Sequence, residues 1–135
     1  MCSKIMIVDD NVQWLDKTCH HIGTLGYETY CYNTAKQALA EFSNVKPFLV
    51  FADLQLTNHI DGATMATKMH MIDPLCIFVV ISGLIKTWDI GFLLGSVFTD
   101  VIAKPVKCDI LDRIIADAVD KRTRWNEILG MSFNG

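Results

Sequence analysis

The chain has 135 residues, 51% of them hydrophobic and 20% charged, proportions that suit one globular domain around one buried core. Its formal net charge of −3 argues against a nucleic-acid binder held by phosphate contacts, and the one basic cluster, Lys121, Arg122 and Arg124, reads as a solvated helix end. No apolar run reaches the ~18 residues of a membrane span, the N-terminus lacks a signal-peptide core, and the five cysteines are widely spaced without a C-x-x-C pair, so neither a disulfide framework nor a zinc site is suggested. A soluble protein of a reducing cytoplasm is expected, with no membrane and no nucleic-acid partner.

In chain order, KIMIV (4–8) is the first predicted strand, and Asp9 and Asp10 follow it directly. Val12, Leu15, Cys19 and Ile22 then recur at helical spacing until Gly26. ETYCY (28–32) is a mixed strand suited to a sheet edge, and Ala35, Ala38, Leu39 and Phe42 mark a second helix before Pro47. FLVFA (48–52) is a third strand with Asp53 at its end, a helix fits 62–72, and CIFVVIS (76–82) is a fourth strand ending on Ser82. A further helix fits about 88–94, DVIA (100–103) is the fifth strand with Lys104 after it, and a last helix runs from about 107 to 129.

Strict alternation of strand and helix implies an α/β fold in which a parallel, doubly wound sheet is covered on both faces. In such sheets the loops at the carboxyl ends of the strands form the ligand crevice. Asp9, Asp10, Asp53, Ser82 and Lys104 all fall on that one rim. Three converging carboxylates repel one another unless a cation is present, and a hard divalent ion, Mg²⁺ foremost, takes carboxylate oxygens while keeping room for a phosphoryl oxygen. A lysine and a hydroxyl opposite complete the groups that phosphoryl transfer to a carboxylate needs.

Plainer roles exist for each residue alone. Asp9 and Asp10 suit a helix N-cap, Ser82 a turn and Lys104 a surface ion pair, but their coincidence on one rim favours chemistry. Cys19, His20 and His21 are helix neighbours that point apart, His59 suits an exposed loop, and Met65, Met69 and Met71 are expected to pack in the core.

The pair DD at 9–10, DLQL from Asp53, VISG ending the fourth strand and AKP at 103–105 resemble the receiver domain of two-component response regulators, over about residues 4–120. The resemblance implies a flavodoxin-like three-layer sandwich, with a five-stranded sheet in the order 2-1-3-4-5 and five helices. It implies a single receiver domain over 1–135, with 121–135 as a C-terminal helical extension too short for a second core. By the same resemblance Asp53 is the phosphoacceptor, Lys104 and Ser82 engage the phosphoryl group, and Asp9, Asp10, Asp53 and the backbone carbonyl of Gln55 hold Mg²⁺. The donor is then a histidine kinase or a histidine phosphotransfer protein. The chain signals rather than turning over an external substrate, and the Lys104–Pro105 peptide is expected to be cis.

The output surface of such domains combines the fourth helix, fifth strand and fifth helix. Here the stretch 84–98, LIKTWDIGFLLGSVF, is apolar enough to leave side chains for a downstream protein or a second copy of the chain. Three departures stand out: Thr57 replaces a usual proline, Gly62 lies nine rather than eight residues after Asp53, and Val101 stands where many members carry an aromatic switch residue. A dehalogenase-type phosphatase would need an acid at Gln55, and an FMN carrier a glycine-rich loop in place of DDNV. The alternative within the fold is an unphosphorylated pseudo-receiver acting as a protein-interaction module.

Overall fold

The computed structural model describes residues 2–54, 61–83 and 95–130. Within them run β1 (Lys4–Val8), α1 (Val12–Thr24), β2 (Glu28–Tyr32), α2 (Ala35–Val45), β3 (Leu49–Asp53), α3 (Gly62–Ile72), β4 (Ile77–Ser82), β5 (Phe98–Ala103) and α4 (Cys108–Leu129). The helix expected around 88–94 lies outside the described residues, so four helices are seen among them.

All five strands pair in parallel, in the order β2-β1-β3-β4-β5. β3 and β4 are buried at every position and β1 at all but its first, whereas β2, at the edge, is only partly covered. Side chains alternate across the pleat, so adjacent residues of one strand enter different cores. Met6, Val8, Val50, Ala52, Phe78 and Val80 pack with Phe42 of α2 and Met65 and Met69 of α3. Their neighbours Ile5, Ile7, Leu49, Phe51, Val79 and Ile81 pack with Leu15 and Ile22 of α1 and Leu111 and Ile115 of α4. A continuous apolar strand thus serves two layers at once.

Local chemistry sets the helix ends. Asn11, not Asp10, caps α1, its side chain accepting from the Trp14 N–H at 3.2 Å. Thr34 and Asp61 cap α2 and α3 in the same way. Gly26, just beyond α1, and Gly130, the C-cap of α4, take positive φ at 97° and 65°, where L side chains are strained.

Three expectations change. Arg122 is not solvated: it is 6% exposed, its Nη1 donates to the Leu75 carbonyl at 3.0 Å and its Nε to Asn126 Oδ1 at 3.4 Å. The inward stripe of α4, Leu111, Ile115 and Ala118, simply continues through Arg122 and Asn126. Met71 is 79% exposed, because it lies on the far side of α3 from Met65 and Met69. Cys19 of α1 and Cys31 of β2 are disulfide-bonded, their Cα atoms 6.7 Å apart, because α1 packs beside the edge strand that follows it. Cys2, Cys76 and Cys108 are free thiols.

Alkylation of protein denatured without reductant should therefore modify three cysteines, and five after reduction, counted by intact mass. Five adducts without reductant would show that Cys19 and Cys31 are thiols in the preparation.

Candidate functional site

The register of the sheet brings the acidic residues together. Val8 pairs with Ala52, so the next residues, Asp9 and Asp53, leave adjacent strands side by side. Asp10 follows on the loop into α1. One carboxylate oxygen from each of Asp9, Asp10 and Asp53 lies within 4.8 Å of the others, the one such acidic or ligating group among the described residues. On the next strand out, Ser82 pairs with Ala103, which puts Lys104 one step past the sheet on the same side.

Lys104 reaches back across the strand ends. Its Nζ donates to Asp9 Oδ2 at 2.6 Å and to Asp53 Oδ2 at 3.1 Å, while its backbone N–H donates to the Ser82 carbonyl at 2.9 Å. Asp9 is 1%, Ser82 1% and Asp53 7% exposed, so these polar groups sit inside the sheet's end rather than on a wet loop. The Lys104–Pro105 peptide is cis. Asp9 also accepts from the Asn11 N–H through Oδ1 at 2.9 Å, so one carboxylate anchors both the lysine and the entry to α1.

Burial pushes the Asp9 carboxyl above the ordinary carboxylate value, outweighing the Lys104 hydrogen bond that pulls it down; the neighbouring Asp53 charge pushes the same way as burial. For Lys104, burial pulls the other way but is overcome by hydrogen bonds to Asp9 and Asp53, so its ammonium is held above its ordinary 10.5. Both shifts act in the same direction with pH. Lys104 contributes stability below 10.5 that is lost as pH rises through its folded value, and Asp9, easier to keep protonated when folded, likewise loses stability as pH rises through its own. Near neutral pH one ammonium leaves the cluster short of positive charge. An all-oxygen, acidic, partly water-accessible cluster fits a hard divalent ion such as Mg²⁺.

The start of α3 packs against the backbone that carries Asp53. The Gly62 N–H donates to the Leu54 carbonyl at 3.3 Å, and a Cβ on Gly62 would overlap the Asp53 carbonyl oxygen and sit 2.9 Å from its carbonyl carbon. This contact explains why a glycine opens α3 despite the longer loop before it. Gln55, Thr57 and His59 lie outside the described residues. Val101 is half-buried against the α2–α3 core, and Phe98 is buried with Val97 packed beside it; the rest of the 84–98 stretch, apart from 95–96, lies outside the described residues. His21 pairs with Asp112 of α4 at 2.7 Å and Cys19 is in the disulfide, so neither contributes to the acidic cluster. One neighbour went unnoticed in the sequence: the Trp14 ring, whose centroid is 4.8 Å from Lys104 Nζ. Its only sequence signal is position, four residues past Asp10 in the turn that leaves the rim.

A five-stranded parallel sheet in this order, with paired acids, a central aspartate and a lysine at its carboxyl edge, defines a receiver-type signalling domain. The family model for the response regulator receiver domain matches residues 5–116, and the chain belongs to that family. It is 24% identical over 130 residues to the sensor protein TorS of Escherichia coli K12, covering 96% of this chain and 14% of TorS. Against the regulatory protein AtoC of the same organism it is 25% identical over 128 residues, covering 93% of this chain and 27% of AtoC. The chain thus spans less than a third of either relative. A CheY-like receiver domain protein from Methanospirillum hungatei JF-1 superposes with a TM-score of 0.82 at 26% identity, covering 92% of this chain and 99% of that one.

Two outcomes follow from the geometry. Gly62→Ala should cost about 1–3 kcal/mol of stability, the range for overpacking against a backbone that cannot yield, read as a lower denaturant midpoint. Lys104→Met should cost about 1–3 kcal/mol without metal, since it leaves two buried carboxylates facing each other, and added Mg²⁺ should restore most of the lost melting temperature. Equal melting of variant and parent in metal-free buffer would contradict this electrostatic account.

Proposed function

We propose that the chain is the phosphoacceptor of a two-component phosphorelay, accepting a phosphoryl group on Asp53 in a Mg²⁺-dependent reaction and thereby switching a protein-binding surface. The observation that carries this reading is the shared grip of one ammonium on Asp9 and Asp53, with a third carboxylate, Asp10, within 4.8 Å.

In this reading Asp9, Asp10, Asp53 and the backbone carbonyl of Gln55 hold the divalent ion. When bound, it neutralises the carboxylates and the charge that builds on the phosphoryl oxygens. The Asp53 carboxylate oxygen attacks phosphorus; the bond from phosphorus to the donor's imidazole nitrogen, or to the acyl oxygen of a small donor, breaks, and the leaving group departs with that electron pair. Lys104 transfers its hydrogen bond from Asp53 to a phosphoryl oxygen, and Ser82, at the end of the neighbouring strand, offers its hydroxyl to another. Burial of Asp53 limits water at the acyl phosphate.

The donor is a histidine kinase or a histidine phosphotransfer protein, in keeping with a sensor protein among the relatives. The chain assists its own phosphorylation and dephosphorylation and is not a turnover enzyme on an external substrate. The readout is a downstream protein or a second copy of the chain, on the face formed by the expected fourth helix, β5 and α4. Its place of action is the cytoplasm. No helix among the described residues is long and apolar enough to cross a membrane.

Incubation with Mg²⁺ and acetyl phosphate should add one phosphoryl group by intact mass, and Asp53→Asn should abolish it. No adduct, or one that survives the substitution, would make the chain a pseudo-receiver that works by binding alone.

A further inference from the structure

Lys104 has a third partner that the chemistry above does not use. Its Nζ stands 4.8 Å from the centroid of the Trp14 ring, an indole half-buried against the core shared by α1 and α4. The placement is built. Asn11 caps the turn through the Trp14 N–H, and Asn11 is itself held by Asp9 Oδ1, while Asp9 Oδ2 takes the lysine. One buried carboxylate therefore sets both the cation and the aromatic face beside it.

The three attachments of the ammonium differ in what a divalent ion does to them. Asp9 and Asp53 are oxygen ligands of the proposed ion site, so an ion there competes for the same oxygens and repels the ammonium. The indole face is neutral, is no ligand for a hard cation, and attracts an ammonium through its quadrupole. We propose that Trp14 is a positioning residue that keeps Lys104 at the mouth of the site once the carboxylates are engaged by the divalent ion, within reach of the incoming phosphoryl group. This inference rests on the phosphoacceptor reading of the site. A side chain that merely filled the groove at the start of α1 would have no such effect, and leucine could replace it.

The test pairs Trp14→Leu, which fills space without a π face, with Trp14→Phe, which keeps a weaker one. By NMR, the Lys104 ε-methylene protons should be shifted upfield by the ring in metal-free protein and remain so at saturating Mg²⁺; the shift should shrink in Trp14→Phe and vanish in Trp14→Leu. The rate constant for phosphorylation by acetyl phosphate should fall roughly three- to ten-fold in Trp14→Leu and stay within about two-fold of the parent in Trp14→Phe. Loss of the upfield shift on adding Mg²⁺ to the parent would overturn the proposal, as would equal rates for the two variants. Should the parent take up no phosphoryl group, the phosphoacceptor reading fails, and the Lys104 shift at saturating Mg²⁺ still decides for or against Trp14.

Discussion

One ammonium between two buried carboxylates governs the arrangement of this molecule. Asp9 and Asp53 are almost sealed from water, and two like charges at such a distance are unfavourable unless a cation lies between them. The sheet creates that situation and also relieves it. Because β1 lies between β2 and β3, the chain reverses direction across the sheet at β1, and the register that pairs Val8 with Ala52 delivers both acids to the reversal point. β5, two strands from β3, supplies the lysine from beyond Ala103. Asp9 still holds its proton more tightly than an ordinary aspartate, chiefly because it is buried, with the Asp53 charge pushing the same way.

Much of this was legible in the sequence, for a physical reason. A strand covered on both faces must be apolar throughout, so KIMIV, FLVFA and CIFVVIS announce a central parallel sheet, while the mixed ETYCY falls at the edge. In a doubly wound sheet the residue after each strand is on the ligand rim, and reading those positions alone collected Asp9, Asp53, Ser82 and Lys104. What stayed hidden depends on direction rather than composition. Charge marked Arg122 as surface, but its place on the α4 stripe with Leu111, Ile115 and Ala118 turns it to the Leu75 carbonyl. Met71 carries an apolar side chain on the wrong side of α3, and the Cys19–Cys31 pair joins a helix to the next strand, a proximity that spacing along the chain does not show. The Asp61-to-Gly62 start of α3 is a middle case: the glycine was visible, and its contact with the Asp53 carbonyl was not.

How a change at Asp53 travels outward turns on the two strand ends that face it. A switch needs an element with two packed arrangements. Val101 offers little of that kind, since a β-branched side chain half-buried against the α2–α3 core has few rotamers to choose between. The backbone offers more. The Lys104 N–H donates to the Ser82 carbonyl, so the segment that carries the hydroxyl and the segment that carries the ammonium are tied at the point where both leave the sheet. A phosphoryl group drawing on the hydroxyl and the ammonium together would pull both segments by their own backbone. β4 ends at Ser82 and is fully buried, so it cannot give way behind that pull. The displacement is then directed into the loop from Lys104 to α4, which lies beyond the end of β5.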